Sequence, residues 1–142
     1  LGLTWNNSNH IASSAKDETF NRNSLSNIGL SNFGSEVVQK CNDLGVIIDV
    51  SHAGEQAFWD VVEQSPEPII ASHSSVYALC PHYRNLKDDQ IKAIAKTGGA
   101  VFINFYPGYI DSTFQQKAEI INMKYEVELD ILAEKYNPLS NQ

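Results

Sequence analysis

Four histidines occur in the chain, at positions 10, 52, 73 and 82, and two of them stand in equivalent settings. His52 follows the apolar run at residues 46–50 (VIIDV) with one residue between, and His73 directly follows the run at residues 68–72 (PIIAS). Their separation of 21 residues is one strand–helix repeat. Consecutive units of a right-handed βαβ array set their strands side by side, about 4.8 Å apart. Imidazoles at the carboxyl ends of two such strands can be aimed at one point. Parity along each run groups His52 with Val46, Ile48 and Val50, and His73 with Ile69 and Ala71. If those faces line a barrel interior, both rings point into its mouth, where active sites of such folds lie. Neutral imidazole binds zinc at about 2.0–2.1 Å, so such a pair is half of a metal site. The competing reading is structural, since a histidine after a strand commonly caps or hydrogen-bonds the turn. Spacing alone leaves both readings open.

The loop after His73 carries His82 and Arg84, in Cys80-Pro81-His82-Tyr83-Arg84-Asn85. An arginine above a barrel mouth can fork onto a carboxylate, although a solvated loop charge has the same sequence appearance. Tyr106 and Tyr109 follow the apolar run at residues 100–105 and fit either a pocket lining or packing. His10 lies in an Asn-rich stretch and carries no chemical pattern. A Gly-rich phosphate loop, a nucleophile elbow and an H-E-x-x-H pair are all absent from the sequence.

The elements that must position these groups are legible from periodicity. The three apolar runs (46–50, 68–72 and 100–105) are short and nearly continuous, as strands buried on both faces of a parallel sheet read. Val37, Val38, Cys41 and Leu44 make a helical stripe before the first, with Gly45 as a left-handed stop. Phe58, Val61 and Val62 make a second stripe, stopped by Pro66. Ile91, Ile94 and Ala95 make a third, with Asp88 and Asp89 in its first turn, Lys96 in its last and Gly98 beyond. Helix and strand therefore alternate, the pattern of an α/β barrel or doubly wound sheet. Residues 6–32 are loaded with Asn and Ser and read as a long loop. Residues 115–136 read as a long helix with Ile120, Ile121, Val127, Ile131 and Leu132 on one side, ending at Asn137-Pro138 before a frayed tail. Three or four βα units do not close a barrel, which takes about 250 residues.

Composition narrows the function. The chain has 142 residues, 42% hydrophobic and 19% charged, which is globular rather than disordered. Its net charge of −7 argues against a phosphate-binding surface and so against nucleic acid as a partner. No apolar run approaches the roughly 18 residues of a membrane span, and the first residues do not read as a signal peptide. Two cysteines without a C-x-x-C pair exclude a disulfide scaffold and a zinc knuckle.

Read together, several stretches resemble the membrane dipeptidase family of zinc metallopeptidases. They are Leu3-Thr4-Trp5-Asn6, Gly29-Leu30-Ser31-Asn32-Phe33-Gly34, and Leu44-Gly45-Val46-Ile47-Ile48-Asp49-Val50-Ser51-His52. Ile70-Ala71-Ser72-His73-Ser74-Ser75, Cys80, Arg84-Asn85-Leu86, Asp88-Asp89 and residues 101–109 (VFINFYPGY) continue the series in order. The likeness runs from about residue 1 to 110. It implies a TIM-barrel-like (β/α)8 hydrolase fold and the hydrolysis of dipeptides, by a hydroxide that bridges two zinc ions and attacks the scissile carbonyl. It further implies that His52 and His73 ligate one of two zinc ions, that Arg84 holds the substrate carboxylate, and that Tyr109 lines the pocket.

Three departures qualify the likeness. Trp5 stands where the family usually has a histidine near the substrate carbonyl, which points to altered specificity because an indole is only a donor. Ser112 stands near a cysteine that secreted animal members pair with the equivalent of Cys80, which favours a bacterial-type protein. The family's first-strand His-x-Asp pair, bridging Glu and late proton-handling Asp have no counterpart here. The chain is therefore expected to be the central segment of a (β/α)8 peptidase domain over residues 1–142, inactive by itself, with a dipeptide as partner and a homodimer left open. A non-catalytic α/β binding module with structural histidines, or another two-metal amide hydrolase, are the alternatives. The compartment is open, cytoplasmic or periplasmic for a bacterial protein.

Overall fold

Three parallel strands, β1 (Ile48–Asp49), β2 (Ile69–Ala71) and β3 (Ala100–Val101), lie side by side in chain order. In this computed structural model, which describes residues 1–136, Ile48 pairs with Ile69, and Ile70 with Ala100. Gly2 adds a parallel bridge to Asp49 on the other side of β1. The helices are α1 (Ala15–Phe20), α2 (Asn32–Leu44), α3 (Glu55–Gln64), α4 (Asp88–Lys96) and α5 (Phe114–Tyr136). The expected alternation of helix and strand thus forms a small parallel α/β sheet. Asn137-Pro138 and the tail beyond lie outside the described residues.

The helix ends follow local chemistry. Ser31 caps α2 by accepting from the Gly34 N–H at 2.9 Å, and Gly45 at φ 67° closes it in the left-handed region. The residue before α3 is Gly54, which has no side chain to cap with. Glu18 serves instead, accepting from the Gln56 N–H at 3.3 Å and from the Ser13 hydroxyl at 2.5 Å. A side chain at position 54 would run into that carboxylate, its Cβ only 2.0 Å from Oε1. Asp88 and Asp89 sit at the positive end of α4 and Lys96 at its negative end.

The core is one cluster, in which Ile48, Val50, Ile69 and Ala71 meet Leu3, Val38, Phe58, Val61 and Ile94. That packing corrects two expectations. The strands are shorter than the apolar runs, and Val46, Ile47, Phe102 and Ile103 are exposed rather than buried on both faces. The face carrying Ile48, Val50, Ile69 and Ala71 is the one covered by helices, not a barrel interior. Parity fails because His52 and His73 lie in turns beyond the strand ends, where pleat alternation no longer applies.

The stretch at residues 6–32 is also more ordered than a loop. It contains α1 and a 3-10 turn at Arg22–Ser24, and its Ala12 and Ser14 form bridges to Leu30 and Ala53. Ser14 caps α1 through the Asp17 N–H at 3.1 Å. The Asp17 carboxyl is held down to about 2, chiefly by the Ser8 backbone N–H and then by the Asn21 side chain. Asn9 Oδ1 accepts from the Ile11 and Ala12 N–H groups. Side-chain hydrogen bonds of this kind leave no apolar period to read. At the other end, α5 begins one residue before the expected start. It buries no residue, and Ile120, Ile121, Val127, Ile131 and Leu132 are all exposed. Leu44 of the α2 stripe is exposed as well, while Cys41 and Cys80 are both buried free thiols.

Two glycines separate backbone conformation from steric exclusion. A Cβ at Gly99 would lie 1.7 Å from the carbonyl oxygen of Ile69, whereas Gly45 has open space around it and only its positive φ to satisfy. Gly45→Ala should cost about 1–2 kcal/mol. Gly99→Ala should cost clearly more, because β3 must move away from β2. Urea unfolding of the intact protein checks this ranking, and equal losses would contradict it.

Candidate metal centre

The pairing of β1 with β2 carries over into the turns that follow them. The Val50 N–H donates to Ile70 O at 2.9 Å, and the His73 N–H donates to the Ser51 hydroxyl at 3.0 Å. These bonds bring the two turns into register, and the rings converge. Nε2 of His52 lies 2.9 Å from Nε2 of His73, with ring centroids 4.9 Å apart. Two nitrogen lone pairs at that distance repel unless a proton or a cation lies between them. The contact is therefore either a hydrogen bond between neutral rings or the seat of a metal ion.

Burial and the surrounding charges favour a neutral His52 ring. Burial is the first cause that lowers His52, followed by the charge of Arg84 and then by His73, and together they bring it to about 4 despite the opposing Asp49. His52 Nδ1 is buried without a hydrogen-bond partner. His73 Nδ1, in contrast, lies 2.7 Å from the Ser72 hydroxyl. The donor set fits a borderline metal such as zinc, since both nitrogens can reach one ion at about 2.0–2.1 Å. It is a partial set: among the described residues no group of three or more His, Cys, Asp or Glu side chains is placed to hold a metal.

Arg84 meets this pair through the backbone of His73. It is 3% exposed, and its Nη2 donates to the His73 carbonyl at 3.3 Å. Its Nε and Nη1 are buried with no partner. Burial lowers its affinity for the proton, while Tyr109, Tyr83 and Asp49 oppose that effect. Arg84 helps line a cavity of about 440 Å³ with Glu18, Ser51, Tyr77, Tyr83 and Lys87.

Tyr109 lines a different cavity, of about 490 Å³, with Tyr106, His82, Cys80 and Ser112. The two cavities share His82 and Tyr83 as a wall, and the Arg84 guanidinium carbon is 5.9 Å from the Tyr109 ring centre. His82 stacks between Tyr83 and Tyr109, with centroids 4.3 and 4.5 Å away. Its Nδ1 accepts from the Arg84 N–H at 3.1 Å, so it orders the loop. Trp5 is 73% exposed, and its ring centre is 6.1 Å from that of His52. His10 contributes only its carbonyl, to the Ser31 hydroxyl.

The polar residues that sequence reasoning missed are Asp49, Ser51 and Ser72. The three are within hydrogen-bond reach of one another, and the two serines also reach His73. The signal was present in the strings themselves. An aspartate interrupts an otherwise apolar run, and both histidines are preceded by serine, as Ser51-His52 and Ser72-His73.

Comparison with known proteins bears on this arrangement. The family model described as membrane dipeptidase (peptidase family M19) matches residues 1–129. An uncharacterized dipeptidase of Schizosaccharomyces pombe is 36% identical over 120 residues, covering 84% of this chain and 28% of that protein. The crystal structure of the probable dipeptidase PvdM from Pseudomonas aeruginosa is similar at TM-score 0.69 and 30% identity, over 88% of this chain and 32% of that one. A metallopeptidase from Rhodobacter sphaeroides, liganded with a phosphinate mimic of the dipeptide L-Ala-D-Ala, has TM-score 0.69 and 28% identity, over 79% and 32%. The chain spans about a third of the length of the curated relatives it matches.

Because His52 is lowered in the folded state, the unfolded chain takes up this proton first as pH falls below the ordinary 6.5. The native state should lose the corresponding stability between pH 6.5 and about 4. In the metal-free protein, an NMR titration of His52 should give a midpoint near 4. Arg84→Met should raise that midpoint yet leave it below 6.5, since burial is the larger cause. A midpoint at 6.5 or above in the parent would contradict the environment described.

Proposed function

The chain belongs to the membrane dipeptidase family, and from that premise we propose that it serves a zinc-dependent hydrolysis of dipeptides. His52 and His73 would be two neutral imidazole ligands of one zinc ion in a two-metal centre on a (β/α)8 barrel, with the other ligands outside the described residues. The observation that carries this reading is the 2.9 Å approach of their Nε2 atoms at the ends of neighbouring parallel strands. Zinc, when bound, supplies Lewis-acid activation of the scissile carbonyl and of a water molecule.

Substrate binding would draw on side chains of this chain. Arg84 is a buried cation whose Nε and Nη1 have no hydrogen-bond partner. Tyr109, Tyr83 and Asp49 are the groups that favour its charge, and an under-satisfied buried charge is costly. A substrate carboxylate would satisfy the guanidinium fork and fix the dipeptide's C-terminal end. The bond from Nη2 to the His73 carbonyl ties that anchor to the backbone of a proposed ligand, so substrate and metal are held by one piece of structure. The Tyr109 ring, 5.9 Å from the Arg84 guanidinium carbon, would flank that anchor from the neighbouring cavity.

A second reading has an observation of its own. With His73 accepting at Nε2, a proton on His52 Nε2 makes the same contact a hydrogen bond between two neutral rings. In that case the histidines are structural. Metal analysis of the intact protein separates the two readings. The dipeptidase reading expects stoichiometric zinc, loss of dipeptide turnover with a chelator, and loss of zinc in His73→Ala.

Arg84→Ala should lower kcat/KM for dipeptides with a free carboxylate by about 10- to 100-fold, the worth of a charge-assisted hydrogen bond. Dipeptide amides should be hydrolysed equally by both forms. Equal losses on acid and amide substrates would remove Arg84 from carboxylate recognition.

A further inference from the structure

We propose that Asp49 and Ser72 form a relay that fixes the tautomer and ring orientation of His73, and so act as positioning residues for its metal-facing nitrogen. The inference rests on the reading of His73 as a ligand, but the proton accounting behind it does not need the metal. Asp49 accepts four hydrogen bonds. Oδ1 receives the Ser51 N–H at 3.0 Å, the Ser51 hydroxyl at 2.7 Å and the Ser72 N–H at 3.0 Å. Oδ2 receives the Ser72 hydroxyl. An ionised carboxylate only accepts, so the single proton of each serine hydroxyl is committed to Asp49.

The consequence for His73 follows from that count. The Ser72 oxygen, having given its proton to Asp49, can only accept from His73 Nδ1, 2.7 Å away. The ring proton is therefore on Nδ1, and Nε2 carries the lone pair that faces His52. Were Ser72 to donate to Nδ1 instead, Nε2 would hold the proton and could not ligate. Ser51 completes the clamp, since its oxygen accepts the His73 N–H at 3.0 Å. Ring and backbone of His73 are thus both held from β1, across the strand pair. His52 has no such arrangement, because its Nδ1 is without a partner. The two rings differ in this, since the Trp5 backbone rather than a side-chain relay acts on His52. Outer partners that orient a ligating histidine in this way typically matter by about 10- to 100-fold in metal affinity.

A purely structural role, in which Asp49 and Ser72 only tie two turns together, would leave the ring tautomer unaffected. The test is NMR of the intact, metal-free protein carrying 15N-labelled histidine, alongside zinc affinity measured by competition with a chelator. The parent and Ser72→Thr, which keeps the hydroxyl, should both show His73 protonated at Nδ1. In Ser72→Ala that tautomer should be lost and zinc affinity should fall about 10- to 100-fold, with the thermal unfolding midpoint confirming that the variant is folded. Nε2 protonation in the parent, or an unchanged tautomer in Ser72→Ala, would overturn the relay. Should Ser72→Ala fail to fold, the parent's tautomer and the behaviour of Asp49→Asn decide in its place. A parent that takes up no zinc but loses the Nδ1 tautomer in Ser72→Ala would defeat the ligand reading and leave the relay standing. Zinc bound equally tightly by the parent and Ser72→Ala would do the reverse.

Discussion

The pairing of β1 with β2 is the constraint on which the rest of the site depends. Only two or three residues of each strand take part, yet Ile48 opposite Ile69 sets where both following turns begin. A shift of one residue would exchange the core face with the polar face. Were β1 the strand to slip, Ile48 and Val50 would leave the helices they pack against, and Asp49 would be driven into the apolar cluster. Burial of that face is what makes the register unique. The convergence of His52 and His73 is therefore a by-product of hydrophobic packing on the other side of the sheet.

Electrostatics then sorts the polar side. Arg84 is buried and lacks a carboxylate partner for its Nε and Nη1, and its charge, after burial, is what holds His52 neutral. Asp49 is a counter-charge that acts on both His52 and Arg84. Burial pushes its carboxyl up, but hydrogen bonds from the Ser72 and Ser51 side chains and backbones outweigh that effect and hold it below the ordinary value. A neutral imidazole, a fixed carboxylate and an under-satisfied guanidinium thus sit within two neighbouring turns and the loop that follows. Under the proposed function they would serve as one cation ligand, the group that positions the other ligand and an anion receptor.

How much was legible in the chain varies with the range of the forces involved. The helices at α2, α3 and α4 were readable because an amphipathic stripe and a cap are local, and each ends where Gly45, the Ser65-Pro66 step or Gly98 requires. The short α1 was not readable. Six residues do not make a stripe, and its stability comes from Ser14, Asp17 and the bridges to Leu30 and Ala53. Strand length was overestimated because an apolar run records what is buried somewhere, not which residues pair. The long α5 was visible from its period, but nothing in that period says what its exposed apolar residues meet.

The order of helices and parallel strands, the positions of the two histidines one repeat apart, the family likeness and the acidic balance were determined by the sequence alone, since each follows from local patterning or from residue types at set spacing. Only the tertiary structure decided which face of the sheet the helices cover. It also decided that Tyr109 and Arg84 line separate cavities, and that Asp49, Ser51 and Ser72 converge on His73. The reason is physical: hydrogen bonds and buried charges depend on atoms brought within about 3 Å by distant parts of the chain, and no periodicity along the chain records that approach.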